Sequence, residues 1–451
     1  MPIPPSLAAT NGSLHSTNKS VLVNILTKHI QTPADVPLQE PSCFLIDGQA
    51  LVMALGKPPD ITTFGNYANK FADTVLKMAE KYQRVDVVFD RYHDESIKTG
   101  TRKKRKQRHR PVRREIVNDS VPLPADWSSF MALEENKADL ARLLSNHLIE
   151  HSPEYEPVVV VSGGFAEATT VKSSDPELEI SSLSADHEEA DTRLILHCIQ
   201  APMDTIVVSA RDTDVLLLLL AHHDRIGCTH LYMKAGTSKY PEYFPVHDIR
   251  KLLSDDQVDT LLAFHAITGC DSVSQFSGHG KKTAWQVFEQ HHTDLTGHGK
   301  GPLTEDIVNS TEKFICKMYG VPEVDTCNKA RVKLFCKGCP QETLPPTSDA
   351  VKFHIMRSHY QATIWNQAHL PHPDLPPVDE MGWIHKEGQL VPRLMSLPPM
   401  PKACREFTSC GCTKGCLSQR CSCRKSRMEC IDACNCRKLD NTCQNIEEDC
   451  E

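Results

Sequence analysis

Five short runs constrain this chain most: SCFLID (42–47), VDVVFD (85–90), PVVVVSG (157–163), TIVVSA (205–210) and THLYMKA (229–235). Each is apolar on both faces, and a strand that hides both faces must lie inside a sheet covered on each side. Such sheets are parallel, with helices as crossovers. Amphipathic stretches fall between the runs, at 62–82, 130–151 and 187–200, after an opening helical pattern, SVLVNILTKHI. The sequence therefore predicts an α/β domain with a parallel central sheet flanked by helices. From Val246 the strands stop and a helical pattern continues to about Ala368. Eight prolines between Pro371 and Pro401 then read as a semi-rigid tether, followed by a small cysteine-rich domain. The expected boundaries are an N-terminal extension over 1–40, the α/β domain over 41–290, a helical region over 291–368, the tether over 369–403 and the cysteine-rich segment over 404–451.

Three of the strand runs end in acid. Asp47 closes FLID, Asp90 closes VVFD, and Asp212 follows VVSAR. The strand C-termini of a parallel sheet share one edge, so acids far apart in sequence converge there. Asp212 and Asp214 are two residues apart and point the same way in extended chain. Packed carboxylates repel unless hard cations neutralise them, and an oxygen-only set favours Mg²⁺ or Mn²⁺. A plainer role is also open at this point: Asp212 or Asp214 caps a helix beginning near Val215.

With 451 residues the chain has room for two or three domains and a large core. Its longest apolar run, Val215 to Ala221, is about a third of a bilayer span, and the Pro-rich start has no signal-peptide pattern. These features predict a soluble intracellular protein without membrane partners. Net charge is −8, yet residues 98–114 carry ten Lys or Arg and no acid, which leaves −18 on the remainder. That basic run suits either a nuclear-import signal or a phosphate grip.

The ordered blocks FLIDGQAL, VVFDRYHDESIK with its basic run, HEEADTRLI, RDTDVLLLL and GCDSVSQFSGHGKKTAW resemble the flap endonuclease branch of the PIN-like metal nucleases, over roughly residues 40–290. The resemblance implies metal ligands at Asp47, Asp90, Glu189, Asp191, Asp212, Asp214 and Asp271, and two-ion hydrolysis of a phosphodiester. Helical periodicity alone pairs Glu188 with Asp191 instead, because Glu189 and Asp191 face one site only at a helix's first turn. The resemblance further implies that Arg102, Lys103, Lys104, Arg105 and Lys106 lie in an arch gripping a strand's phosphates. It also implies a helix-hairpin-helix in which Gly278 and Gly280 let amides approach duplex backbone while Lys281 and Lys282 add charge. Two differences stand out: about 40 residues precede Phe44, where the family's active form begins almost at the first strand, and His279 replaces an apolar residue.

Eleven of the 19 cysteines crowd between Cys404 and Cys450. Without a secretory signal, such density reads as metal thiolate rather than disulfide. Nine of them, Cys410, Cys412, Cys416, Cys421, Cys423, Cys430, Cys434, Cys436 and Cys443, suit three Zn²⁺ if three sulfurs bridge. The spacing resembles the tesmin-type CXC domain, which implies DNA contact through Arg420, Arg424, Lys425 and Arg427; a structural knot or a protein-docking module is equally compatible with the zinc. Cys336, Cys339, His354 and His359 have roughly the spacing of a two-Cys two-His finger. The reading these features support is a nuclear, divalent-metal nuclease acting on flap-like or single-stranded DNA and tethered by zinc. The alternative is a catalytically silent PIN-like nucleic-acid-binding or adaptor protein.

Overall fold

The structure, a computed structural model, describes residues 3–92, 96–98, 111–152, 156–237, 239–340, 343–386, 388–397, 410–413, 415–426, 428–430, 434–439 and 443–445. The chain forms two compact units, one spanning Ile3–Leu394 and the other containing Met395–Glu451.

The larger unit is built on a seven-stranded sheet: β1 (Ser42–Asp47), β2 (Arg84–Val88), β3 (Val158–Ser162), β4 (Val171–Ser173), β5 (Thr205–Ser209), β6 (His230–Gly236) and β7 (Pro241–Pro245). Their order is β4-β3-β2-β1-β5-β6-β7. The five inner strands are parallel, and both edges are antiparallel. All five strands expected from the sequence are therefore inner strands of one α/β sheet. Chain direction reverses at β1: the chain winds outward through β2 and β3 on one side, then returns to β5 and β6 on the other. A doubly wound sheet opens its ligand crevice at such a switch point, outside the strand C-termini.

The edge strands escape the periodicity argument for opposite reasons. β4 is only three residues and half-exposed, whereas β7 begins and ends in proline, which cannot donate to a ladder and so suits an edge. One inner strand also hides a charge. Asp86 of β2 is fully buried and accepts from Arg84 Nε and Nη2 (2.6 and 2.7 Å) and from His197 Nδ1 (2.6 Å), while Ser162 Oγ donates to His197 Nε2 (2.8 Å). Burial keeps that imidazole neutral, which suits a donor at Nδ1 and an acceptor at Nε2.

The boundaries expected at 40, 290 and 368 do not separate compact units. Residues 3–40 pack on the α/β body: Leu7, Leu22 and Leu26 are buried, and the helix Ser20–Leu26 lies against the helices Thr213–Ile226 and Lys281–His291. The segment expected as a tether is structured through residue 394. It folds into the hairpin β8 (Trp383–Lys386) and β9 (Gln389–Pro392), with Trp383 buried, and the buried Arg357 donates to the carbonyls of Gly382 (3.2 Å) and Arg393 (2.5 Å). Proline spacing alone did not reveal that these strands have a helix, Ser348–Asn366, to dock on. Among the described residues no helix is long and apolar enough to cross a membrane.

Candidate active site

The seven acids reach the C-terminal edge of the sheet from five elements. Asp47 is the last residue of β1 and caps the helix Gly48–Leu55, accepting from Ala50 N at 2.9 Å. Asp90 follows β2 and accepts from Ala190 N at 2.8 Å, the first amide of the helix Ala190–Gln200. Glu189 is the N-cap of that helix and Asp191 lies in its first turn. This start position resolves the periodicity conflict, since two residues that diverge along a helix can share a site where it begins. Asp212 caps the helix Thr213–Ile226 through Asp214 N at 3.0 Å, and Asp214 occupies its first turn. The capping role and the site role of Asp212 therefore coexist. Asp271 arrives from the loop after the helix Asp255–Ile267.

Carboxylate oxygens of Asp191, Asp212 and Asp214 lie within 4.8 Å of one another. Among the described residues, two lysines enter the same cluster. Lys19 Nζ donates to Asp212 Oδ1 (2.8 Å), Asp212 Oδ2 (3.0 Å) and Asp214 Oδ2 (3.0 Å) and stands 3.4 Å from Asp271 Oδ2. Lys98 Nζ pairs with Glu189 Oε1 at 2.5 Å. Periodicity and spacing gave no sign of Lys19, which is 193 residues from Asp212 in sequence.

Electrostatics follow from burial among like charges. Burial raises the Asp47 carboxyl to about 7, with the charges of Asp90 and Asp212 adding to it. Burial and then Asp212 push Asp191 well up, and burial raises Glu189 against the pull of Lys98. Asp212 is raised by burial and by Asp214. Asp214 goes the other way: burial opposes its charge, but Lys19 and a hydrogen bond from His265 hold it ionised. Burial alone would discharge Lys19, yet Asp214, Asp212 and Asp271 keep it an ammonium. Among the described residues seven carboxyls thus stand against two lysines, and four of them, Asp47, Glu189, Asp191 and Asp212, are held up by burial and by their acidic neighbours. Glu189 Oε2 is also buried without a hydrogen-bond partner. An oxygen-only set with an orphaned buried carboxylate oxygen fits a hard divalent cation.

Beside Asp47 the edge opens into a cavity of about 470 Å³, lined also by Lys70, Lys77, Arg211 and Lys234. Cations on the approach to an acidic centre suit a polyanionic substrate.

The remaining expected contacts divide. Arg102, Lys103, Lys104, Arg105 and Lys106 lie outside the described residues. Gly278 (φ +78°) and Gly280 are open, with nothing near the place a Cβ would take, and Gly280 caps the helix Lys281–His291; Lys282 is exposed. Lys281 is turned inward. It is buried, and its Nζ reaches His265 Nδ1 (3.0 Å), His265 O (2.7 Å) and Thr268 Oγ1 (2.8 Å) rather than solvent. The possible finger does not assemble: His354 Nε2 bonds Ile267 O (2.8 Å), and His359 bonds Gly299 N (2.9 Å) and Gly301 O (3.1 Å), all within the helical packing.

In the smaller unit the nine cysteines form one cluster in which only Cys412 is half-exposed. Three groups of four could each hold an ion: Cys410 with Cys423, Cys430 and Cys434; Cys410 with Cys416, Cys430 and Cys436; and Cys410 with Cys412, Cys416 and Cys421. Cys410 Sγ lies 3.7, 3.9 and 3.6 Å from the sulfurs of Cys416, Cys430 and Cys436. Sulfurs about 2.3 Å from one tetrahedral zinc stand about 3.8 Å apart, so the spacing fits a shared thiolate cluster.

Fold and site together define a doubly wound α/β domain with an acidic centre at its switch point. No protein-family model matches the chain, and none of the curated proteins compared with it is similar. Among solved structures, the T5 D15 protein co-crystallised with metal ions overlaps 65% of this chain and 93% of its own, at 15% identity and a TM-score of 0.34. The T5 5'-exonuclease with bound zinc overlaps equally, at 14% identity and a TM-score of 0.34. Scores this low carry no residue's role from one chain to another.

Proposed function

We propose that this chain is a divalent-metal-dependent nuclease that cleaves phosphodiester bonds in DNA bearing a flap or single strand. Its cysteine-rich tail, holding zinc, tethers it to DNA in the nucleus. The observation that carries the reading is the arrival of seven carboxyl groups at one sheet edge, more than the lysines among the described residues can pair with. Asp47, Asp90, Glu189, Asp191, Asp212, Asp214 and Asp271 form the acidic centre in which Mg²⁺ or Mn²⁺ would be held. With an ion bound, the chemistry supplied is Lewis-acid activation of water and neutralisation of charge on the phosphodiester. The chain's own residues do the rest. Caps at Asp47, Asp90 and Asp212 fix those carboxylates' orientation, and Lys70, Lys77, Arg211 and Lys234 draw the phosphate backbone toward Asp47.

Purified protein with Mn²⁺ should cut a flap or single-stranded oligonucleotide, and Asp212→Ala combined with Asp214→Ala should abolish cutting. Equal cutting by the double variant would rule the site out. One observation favours a silent scaffold instead, namely the lysines already seated among the acids. In that case wild type binds nucleic acid and leaves it intact.

A further inference from the structure

We propose that Lys19 is the resident cation of one half of this centre, so that the site takes a single divalent ion, held by Asp47, Asp90, Glu189 and Asp191. The inference rests on the nuclease reading and adds an ion count and a role for the N-terminal segment.

The acids divide by partner. Lys19 Nζ touches Asp212, Asp214 and Asp271 and none of the other four. An ion shared by those three carboxylates would sit about 2.0–2.6 Å from their oxygens, which is the space the ammonium fills at 2.8–3.4 Å. Ion and ammonium exclude one another there. On the other side, Asp90 acts on Asp47 and Glu189, and Glu189 and Asp47 act on Asp191, which also feels Asp212; among the described residues the cation paired there is Lys98, on a single oxygen of Glu189. The second Glu189 oxygen is the buried, unpartnered one. The orphaned oxygen places the ion's binding groups in that half.

Lys19 is not a loose side chain that drifted to the nearest charge. The segment before it is sewn along the loop that carries Asp271. Ser274 Oγ donates to Leu7 O (2.5 Å) and accepts from His15 N (3.2 Å), Gln275 N donates to His15 O (3.2 Å), and Ser277 N donates to Ser6 O (2.9 Å). The helix after it, Ser20–Leu26, buries Leu22 and Leu26. Lys19 is held between two anchors.

Local rules argue against a lysine in this position. Lys19 is the N-cap of that helix and makes no side-chain cap bond, though Ser, Thr, Asp or Asn serves best there and a helix N-terminus repels positive charge. A residue that breaks its local rule and is repaid by three carboxylates 193 or more residues away marks a functional constraint. A positive charge at the end of a long stem meets this need, reaching in from the N-terminal segment.

The ammonium supplies charge without activating water. In this arrangement the single ion's half handles water, while Lys19 offsets negative charge on the phosphodiester beside Asp212 and Asp214.

Mn²⁺ stoichiometry of the full chain, zinc-loaded and measured by electron paramagnetic resonance, tests this without any activity readout. Wild type should bind one Mn²⁺, Lys19→Met two, and Lys19→Arg one; circular dichroism melts confirm that each variant is folded. If Lys19→Met does not fold, Lys19→Gln carries the same expectation. Two ions in wild type, or one in both wild type and the neutral variant, overturn the proposal and leave the nuclease reading standing. No ion in any of them overturns both.

Discussion

His265 Nε2 stands 2.8 Å from Asp214 Oδ1 with both side chains buried, and Lys281 Nζ lies 3.0 Å behind the same imidazole at Nδ1. Burial holds this histidine down at about 4, with Lys281 pushing the same way, so the ring is neutral. A ring that accepts from Lys281 at Nδ1 must donate at Nε2, which fixes the tautomer and aims Asp214 at the site. Lys281, which the family resemblance assigned to duplex backbone, lies instead behind the acidic centre.

In the Lys19→Met background, where Asp214 is free to hold an ion, His265→Ala should weaken binding of the second Mn²⁺ about 10–100-fold, the usual loss when a residue orienting a ligand is removed. His265→Gln, which can still donate to Asp214, should recover part of it. Titration of Mn²⁺ into each variant reads the effect, and unchanged affinity in His265→Ala would show that Asp214 needs no such support.

Stability should depend on pH through Lys281. Burial lowers its ammonium from 10.5 to about 7. Between those values the unfolded chain holds a proton that the folded chain has released, so unfolding free energy rises with pH across that window, by at most about 1.4 kcal/mol per pH unit. Below about pH 7 the penalty for burying the charge is fully present. Lys281→Met removes the titration, so the wild type should gain on the variant as pH goes from 7 to 10 in denaturant melts. A constant difference over that range would contradict the buried charge.

Native mass spectrometry of the full chain should show three Zn²⁺, removable by a strong chelator. Cys410 takes part in all three four-sulfur groups and Cys412 in one. Cys410→Ser should therefore release more zinc than Cys412→Ser. Equal loss from the two would mean that Cys410 does not bridge.

Much of the fold was legible because it is local. A strand apolar on both faces implies a covered parallel sheet wherever it sits, and an acid at such a strand's end is carried to a known edge. The edge strands were not legible, since β4 is too short for periodicity to register and β7 is masked by proline. Asp86 passed unnoticed because Arg84 and His197 satisfy it inside the sheet, so nothing in a run of valines announces it.

By itself, then, the sequence determined the inner sheet, the strand-end acids and the thiolate spacing, because backbone periodicity and ligand chemistry act over a few residues. Only the tertiary structure decided that Lys19 enters the acidic centre, that Lys281 turns inward and that residues 369–394 dock rather than tether. Those outcomes depend on which distant groups a side chain meets when water is expelled. Buried charge is settled by its neighbours and not by its place in the chain.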